Sequence, residues 1–192
     1  DPARAEFIRT QVELARGGAV ALAAREKTLL AAHGDEWLAP LRAKGGPLEY
    51  PGTHAQFRRG FVEVVWMPAA WFRDRAEALF ARVPARELRV TQTTPTEFGK
   101  LMEFPLLGRL AGLDLSDRRL GDAAARQVAW SPFTGGLRVL RLRGCGITDD
   151  GAFALADADL EHLRELDVAH NPIGPAGLAA LRARFGAAVR VG

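Results

Sequence analysis

The single cysteine of the sequence, Cys145, is the first residue to consider for chemistry. A cysteine attacks as its thiolate, so a catalytic cysteine needs a neighbour that lowers its pKa. The four histidines, His33, His54, His162 and His170, are scattered, and none forms a recognisable pattern with the cysteine. The sequence therefore favours a structural Cys145. A hydrolytic enzyme that uses Cys145 stays as a remote alternative.

Metal and phosphate sites need characteristic spacings that this sequence lacks. No pair of Cys or His residues has zinc-ligand spacing. Asp149 and Asp150 are adjacent acids, but they follow Thr148, and a threonine cap with acids in the first turn is typical of a helix start. Gly99-Lys100 lacks the other residues of a phosphate-binding loop. We predict no metal, no cofactor and no catalytic residue, so the chain is predicted not to be an enzyme.

The charges are evenly distributed along the 192 residues. Lys and Arg number 26, Asp and Glu number 23, and the formal net charge is +3. Because no basic block stands out, we expect no nucleic-acid partner. No apolar run is long enough for a membrane span, so we expect no membrane partner. One cysteine suits a reducing compartment, and we predict a cytoplasmic, bacterial protein.

The elements around these residues follow a repeated phrase. LRVLRLRGCGI at 137–147 returns as LRELDVAHNPI at 163–173, and short apolar alternation of this kind predicts a strand. Looser copies extend the series in both directions, at spacings of 23 to 27 residues between strand centres. The predicted strand centres are Val62, Leu88, Leu113, Leu140, Leu166 and Val189. Strands at this spacing with helices between them predict a parallel sheet.

Helices are predicted between the strands. PAAWFRDRAEALF places Phe72, Ala76, Leu79 and Phe80 on one face, and GPAGLAALRARF ends at Gly186. The segment TQTTPTEFGKLMEFPLLG contains two prolines, so its helix is predicted to be short and irregular.

The phrase matches L-x-x-L-x-L-x-x-N/C-x-L, and residues 110–192 resemble the ribonuclease-inhibitor-like class of leucine-rich repeats. The resemblance is weaker over residues 60–109. It implies an α/β solenoid with a parallel sheet on its concave face. It also implies that Cys145 and Asn171 point inward and hydrogen-bond the turn backbone.

The first 42 residues read as helices, with Gly34 expected to end the second one. The phrases RAEFIR, LLAAHG and FRRGFVE resemble the repeat-companion module found ahead of repeat arrays in planctomycete and myxobacterial proteins. We therefore predict a helical repeat-companion module over 1–58 and a solenoid of five to six strands over 59–192. That family's module begins further upstream, so we expect Phe7, Ile8 and Leu14 to form an exposed strip that faced a missing upstream segment.

One variable position per strand alternates in charge. The predicted column reads Glu63, Arg89, Asp114, Arg141, Asp167 and Arg190, with Glu87 and Glu165 on one side and Thr91, Ser116 and Arg143 on the other. These residues either pair among themselves or form a strip that recognises a partner. Trp66, Trp71 and Trp130 are a second candidate surface.

The sequence thus predicts a non-catalytic scaffold that binds a protein partner through the concave face. The alternative is a regulatory fragment of a longer processed protein. In that alternative the missing N-terminal segment, or the cleavage itself, acts as a switch.

Overall fold

The computed structural model describes residues 1–18 and 20–191. Within these ranges the chain forms seven α-helices, seven β-strands and two short 3-10 turns. The helices are α1 Pro2–Ala15, α2 Val20–Arg42, α3 Ala69–Phe80, α4 Pro95–Met102, α5 Gly121–Trp130, α6 Asp149–Ala156 and α7 Pro175–Phe185. The strands are β1 His54–Arg58, β2 Phe61–Met67, β3 Glu87–Val90, β4 Gly112–Asp114, β5 Val139–Arg141, β6 Glu165–Asp167 and β7 Val189–Arg190. The 3-10 turns are Pro105–Arg109 and Gly186–Ala188.

The fold is a mixed α/β fold with one seven-stranded sheet, in which the strands follow chain order from β1 to β7. The chain divides into two compact units. The first is formed by Asp1–Val65 with Arg75–Ala85, and the second by Trp66–Asp74 with the chain from Arg86 onward. Helices α1 and α2 therefore belong to the first unit, and helices α4 to α7 belong to the second.

In the first unit, α2 is one continuous helix. The prediction that it ends at Gly34 is wrong, because the helix passes through Gly34 and Pro40 to Arg42. A glycine inside a helix costs about 1 kcal/mol relative to alanine. Burial of Leu29, Leu38 and Leu41 on either side of Gly34 offsets that cost.

Strands β1 and β2 are joined by a two-residue turn at Arg59 and Gly60, with φ angles of 51° and 86°. Two consecutive residues with positive φ form the turn that joins the strands of a tight antiparallel hairpin. Strand β1 was not among the predicted strands. Its turn lacks the Asn-Gly or Asp-Gly pair that usually signals a hairpin.

The predicted exposure of Phe7 is wrong. Phe7 is fully buried, and its ring lies 4.9 Å from the ring of Trp37 and 5.4 Å from that of Phe57. Ile8 packs on Gly60, where an added Cβ would overlap the Ile8 side chain. Leu14 is half-buried. Phe57 of β1 and Trp37 of α2 cover Phe7, so its ring offers no exposed surface.

In the second unit, β3 to β7 pair in parallel. Leu88, Leu113, Leu140 and Leu166 align across the first four strands, and all are fully buried. Val189 continues the row on β7. These are the predicted strand centres, and the predicted parallel sheet is confirmed here. Helices α3, α4 and α7 also lie where the sequence predicted them.

The turns after the strands have a repeating backbone. Asp117, Gly144 and His170 occupy equivalent positions and have φ angles of 62°, 61° and 57°. Two residues after each of the first two, Arg119 and Gly146 again have positive φ. The left-handed conformation of His170 is therefore a property of the repeat, and it is not peculiar to this histidine.

Candidate protein-interaction face

The sheet face opposite the leucine row carries a row of charged side chains. Arg89, Asp114, Arg141, Asp167 and Arg190 are in register on five adjacent strands. Two residues earlier on each strand, and on the same side of the sheet, a second row begins at Glu87 and ends at Glu165. We call these two rows together the strand face.

The arginines of the strand face pair mainly with the glutamates of the second row. Arg141 donates from Nη1 to Glu87 Oε1 at 2.7 Å and from Nε to Glu165 Oε1 at 2.9 Å. Arg89 donates from Nε to Glu87 Oε1 at 3.1 Å, and Arg190 lies 3.4 Å from Glu165. The two glutamates thus connect three arginines into one network.

The reach of Glu87 depends on Gly112. Glu87 is on β3 and Arg141 is on β5, so their bond passes over β4. Two strand spacings amount to about 9.6 Å. The β4 residue in register with Glu87 is Gly112, and a Cβ there would lie 3.0 Å from Glu87 Cγ. The missing side chain leaves the space in which the Glu87 side chain lies.

The aspartates of the first row have a different role. Asp114 Oδ1 accepts a hydrogen bond from Ser116 N, and Asp167 Oδ1 accepts one from Ala169 N, each at 3.0 Å. Asp114 Oδ2 lies 3.7 Å from Arg89 Nε, and among the described residues no ion pair involves Asp167. These carboxylates mainly hold the turns that follow the strands.

Glu63 does not belong to the column, so that prediction is wrong. Its carboxylate is buried and paired with Arg59 at 2.7 Å. The β2 residue beside Arg89 is Trp66, whose ring centre lies 4.6 Å from the Arg89 guanidinium. Thr91 N donates to Met67 O, which sets this register. The predicted alignment of β2 was displaced by three residues.

The turns at the C-terminal ends of the strands form the C-terminal rim, which carries Arg118, Arg143 and His170. Arg118 donates to Thr91 O and Ser116 O, which are both backbone carbonyls. Arg143 contacts the Nε2 atom of His170 through its guanidinium. Over residues 1–18 and 20–191, neither arginine has an acidic partner within 4 Å.

Cys145 is unsuited to nucleophilic attack. Its side chain is buried, and Sγ donates to Leu115 O at 3.1 Å. Burial raises the pKa of Cys145 to about 11, so the thiol stays protonated at neutral pH. Asn171 one repeat later donates to Leu142 O and accepts from Ile147 N. The predicted inward, backbone-bonding role of both residues is confirmed.

The structure also locates the potential metal ligands and the tryptophans that the sequence analysis considered. In the described part of the chain, no three His, Cys, Asp or Glu residues come together as a metal site.

Trp66, Trp71 and Trp130 lie on three different elements, β2, α3 and the end of α5. Trp130 is 76% exposed and Trp66 and Trp71 are half-buried.

Sequence reasoning missed a cap that crosses from one repeat to the next. Asp122 at the start of α5 accepts hydrogen bonds from Thr148 N at 2.7 Å and Gly151 N at 3.1 Å, both at the start of α6. Thr148 occupies the predicted N-cap position, but its hydroxyl donates to Asp122 and does not cap the helix itself. We call this arrangement the cross-repeat cap.

The cross-repeat cap occurs twice. Asp149 accepts from Gly174 N at 2.6 Å and Gly177 N at 3.2 Å, at the start of α7. The signal in the sequence is the pair of aspartates 27 residues apart, each followed one repeat later by a glycine. That glycine is required, because a Cβ at Gly177 would lie 2.5 Å from Asp149 Oδ1.

Two opposing effects act on the Asp122 carboxyl group. Burial raises its pKa, but the hydrogen bonds from Thr148 and Gly151 and the nearby charge of Arg126 outweigh burial. The pKa of Asp122 therefore lies below its ordinary value. The charged carboxylate is the form that caps α6.

Comparison with protein families agrees with the repeated geometry. A family model described as Leucine Rich repeat matches residues 137–156 and 159–181, which include β5, α6 and β6. Leucine-rich repeats therefore occupy this part of the chain. No curated protein matches the sequence significantly. Among the described helices, none is long and apolar enough to cross a membrane.

Proposed function

We propose that the chain is a non-catalytic scaffold that binds a protein partner through the strand face, as the concave face of a leucine-rich-repeat solenoid. Repeat proteins of this kind present extended binding surfaces built from equivalent positions of successive repeats. The observation that carries the proposal is the register of five charged residues on five adjacent strands. The proposed contact residues are Arg89, Asp114, Arg141, Asp167 and Arg190, with Glu87, Glu165 and Arg143 beside them.

The ion-pair network supports this function by fixing the side chains in advance. Glu87 is 4% exposed, and its carboxylate holds both Arg89 and Arg141 in place. Ordering a long side chain on binding costs about 0.5–1.5 kcal/mol, and pre-ordered side chains avoid much of this cost. Trp66 stacked on Arg89 adds an aromatic-arginine pair, and both residue types are enriched among interface anchors.

Affinity capture from a cell lysate, read by mass spectrometry, tests the proposal. The wild-type chain is compared with Arg89→Glu/Arg141→Glu. The matched control is Arg138→Glu/Arg164→Glu, which reverses the charge of two exposed arginines that lie just before β5 and β6. Circular dichroism establishes that each variant is folded. A protein captured by the wild type and the control, and lost with the strand-face variant, supports the proposal.

Equal capture by all three chains contradicts it. If the strand-face variant does not fold, Arg190→Glu replaces it. Arg190 is 66% exposed on the last strand, so this position tolerates substitution better.

A further inference from the structure

The strand face and the C-terminal rim differ in how their positive charges are balanced. Each strand-face arginine, Arg89, Arg141 and Arg190, lies within 4 Å of a carboxylate. On the rim, Arg118 bonds only to carbonyl groups, and Arg143 contacts only His170 among the described side chains. The rim therefore carries two guanidinium groups that no described carboxylate within 4 Å balances.

The rim residues lie along one line. Arg118 follows β4 and reaches back to Thr91 after β3, whereas Arg143 follows β5 and reaches forward to His170 after β6. From β3 to β6 the distance is three strand spacings, or about 14 Å. An extended peptide rises about 3.4 Å per residue, so roughly four residues cover this line.

We propose that the C-terminal rim binds an acidic segment of the protein partner, whose carboxylates pair with Arg143 and Arg118 beside His170. This inference rests on the proposed function, because it names the charge that the partner presents. A guanidinium forms charge-assisted hydrogen bonds with a carboxylate, and Arg143 is exposed and available for them.

The surroundings favour a peptide over a nucleic acid. Asp117 lies on the same rim, where its carboxylate is next to Gly144. Asp114 and Asp167 lie at the ends of the strands that lead into the rim. These acids repel the continuous negative charge of a nucleic-acid backbone. A peptide can place its carboxylates at Arg118 and Arg143 and neutral residues between them.

The experiment is a titration of the isotope-labelled full chain with an acidic octapeptide, observed through amide chemical shifts. This N-acetylated peptide contains two glutamates, each followed by three serines, so that neutral residues separate its carboxylates. Low ionic strength, about 0.01–0.1 M, keeps the Debye length at about 10–30 Å. Octalysine and an eight-nucleotide single-stranded DNA are titrated in parallel. We expect the acidic octapeptide to shift the amides of residues 116–119, 143–146 and 169–171.

The variants test the assignment to Arg143. Arg143→Gln is compared with Arg138→Gln, which removes the same charge at the other end of β5. We expect Arg143→Gln to weaken binding of the acidic octapeptide about two- to fivefold, the size expected for one exposed charge pair. We expect Arg138→Gln to bind like the wild type. An Arg143→Gln/His170→Gln double variant should bind more weakly than Arg143→Gln alone.

Several results would overturn the inference: no binding of the acidic octapeptide, equal weakening by the two single variants, shifts confined to residues away from the rim, or tighter binding of the DNA at the same amides. Octalysine binding at Asp167 in place of binding by the acidic octapeptide would also overturn it, yet it would leave the strand face as the recognition surface. Failure of the rim proposal can therefore be distinguished from failure of the strand-face proposal, because lysate capture tests the strand face by itself.

Discussion

At the scale of single residues, the strand face is organised by one glycine and one glutamate. Gly112 leaves space for the Glu87 side chain, and Glu87 then holds arginines on two different strands. Removing one partner of a buried charged pair leaves the other partner without compensation. The aspartates of the same face bond to turn amides, so their charge matters less for the network.

We expect Glu87→Gln to lower the free energy of unfolding by about 1–3 kcal/mol, because Arg141 and Arg89 lose a charged acceptor. The isosteric control is Asp167→Asn, which keeps an oxygen for Ala169 N and breaks no ion pair of the described chain. We expect the control to stay within about 0.5 kcal/mol of the wild type. Urea denaturation of both variants measures the difference, and equal losses would contradict the role given to Glu87.

At the scale of the elements, the helices of neighbouring repeats are tied together at their N-termini. An α-helix begins with unpaired backbone N–H groups, and these are usually satisfied by a side chain of the same helix. Here the carboxylate comes from the preceding repeat, so α6 depends on α5 and α7 depends on α6. The cap therefore links helices that the sheet already places side by side.

We expect Asp122→Ala to lower the free energy of unfolding by about 0.5–2 kcal/mol at neutral pH. The control, Asp150→Ala, removes an exposed acid from the first turn of α6 and should change stability by less than about 0.5 kcal/mol.

The loss of stability caused by Asp122→Ala is expected to depend on pH. The pKa of Asp122 is lowered in the folded chain, and an unfolded aspartate has a pKa of about 3.9. The stabilisation from the Asp122 carboxylate is thus complete above the pKa of the unfolded chain. It is lost as the pH falls through the lower pKa of the folded chain. The stability difference between wild type and Asp122→Ala should narrow below about pH 4. A constant difference from pH 7 to pH 3 would show that the charge of Asp122 does not stabilise α6.

At the scale of the molecule, the second unit is a stack in which the backbone of each strand pairs with the strands directly beside it. The buried leucine row runs through this stack and connects β3 to β6. In such arrays, stability is approximately the sum of repeat and neighbour terms. A loss in the middle of the row therefore reaches the strands on both sides.

We expect Leu140→Ala to lower the free energy of unfolding by about 2–5 kcal/mol, as for other fully buried leucines. Hydrogen exchange should accelerate together at Leu115 N, which donates to Arg141 O, and at Leu142 N, which donates to Asp167 O. Leu178→Ala is the control, because Leu178 is only half-buried on α7. Faster exchange at Leu142 alone would show that the strands open independently.

The repeats could be predicted from the sequence because apolar residues recur with different periods in their strands and in their helices. Alternation around Leu140 and Leu166 indicates strands with one buried face, and the registers of β3 to β7 follow from aligning these leucines. The same reasoning failed for β2. Val64 and Val65 are both fully buried, so adjacent positions are apolar and the alternation does not define a register.

The contacts between repeats could not be read from the sequence. The alternating charges of the predicted column indicate that Arg141 pairs with Asp114 and Asp167, its neighbours in register. The acids that it contacts are Glu87 and Glu165, because the length of a glutamate side chain and the space over Gly112 allow a diagonal pair. Periodicity specifies which residues share a face, but it does not specify the rotamers that decide between two acids on that face.

The cross-repeat cap makes the repeats non-interchangeable. The position held by Asp122 and Asp149 is held in the last helix by Pro175, which has no carboxylate to offer. Exchanging the segments 121–146 and 174–188 would place Pro175 ahead of α6, whose first N–H groups would then lack a carboxylate acceptor. A repeat inserted between an aspartate and its glycine partner in a designed version would therefore have to carry its own copy of both residues.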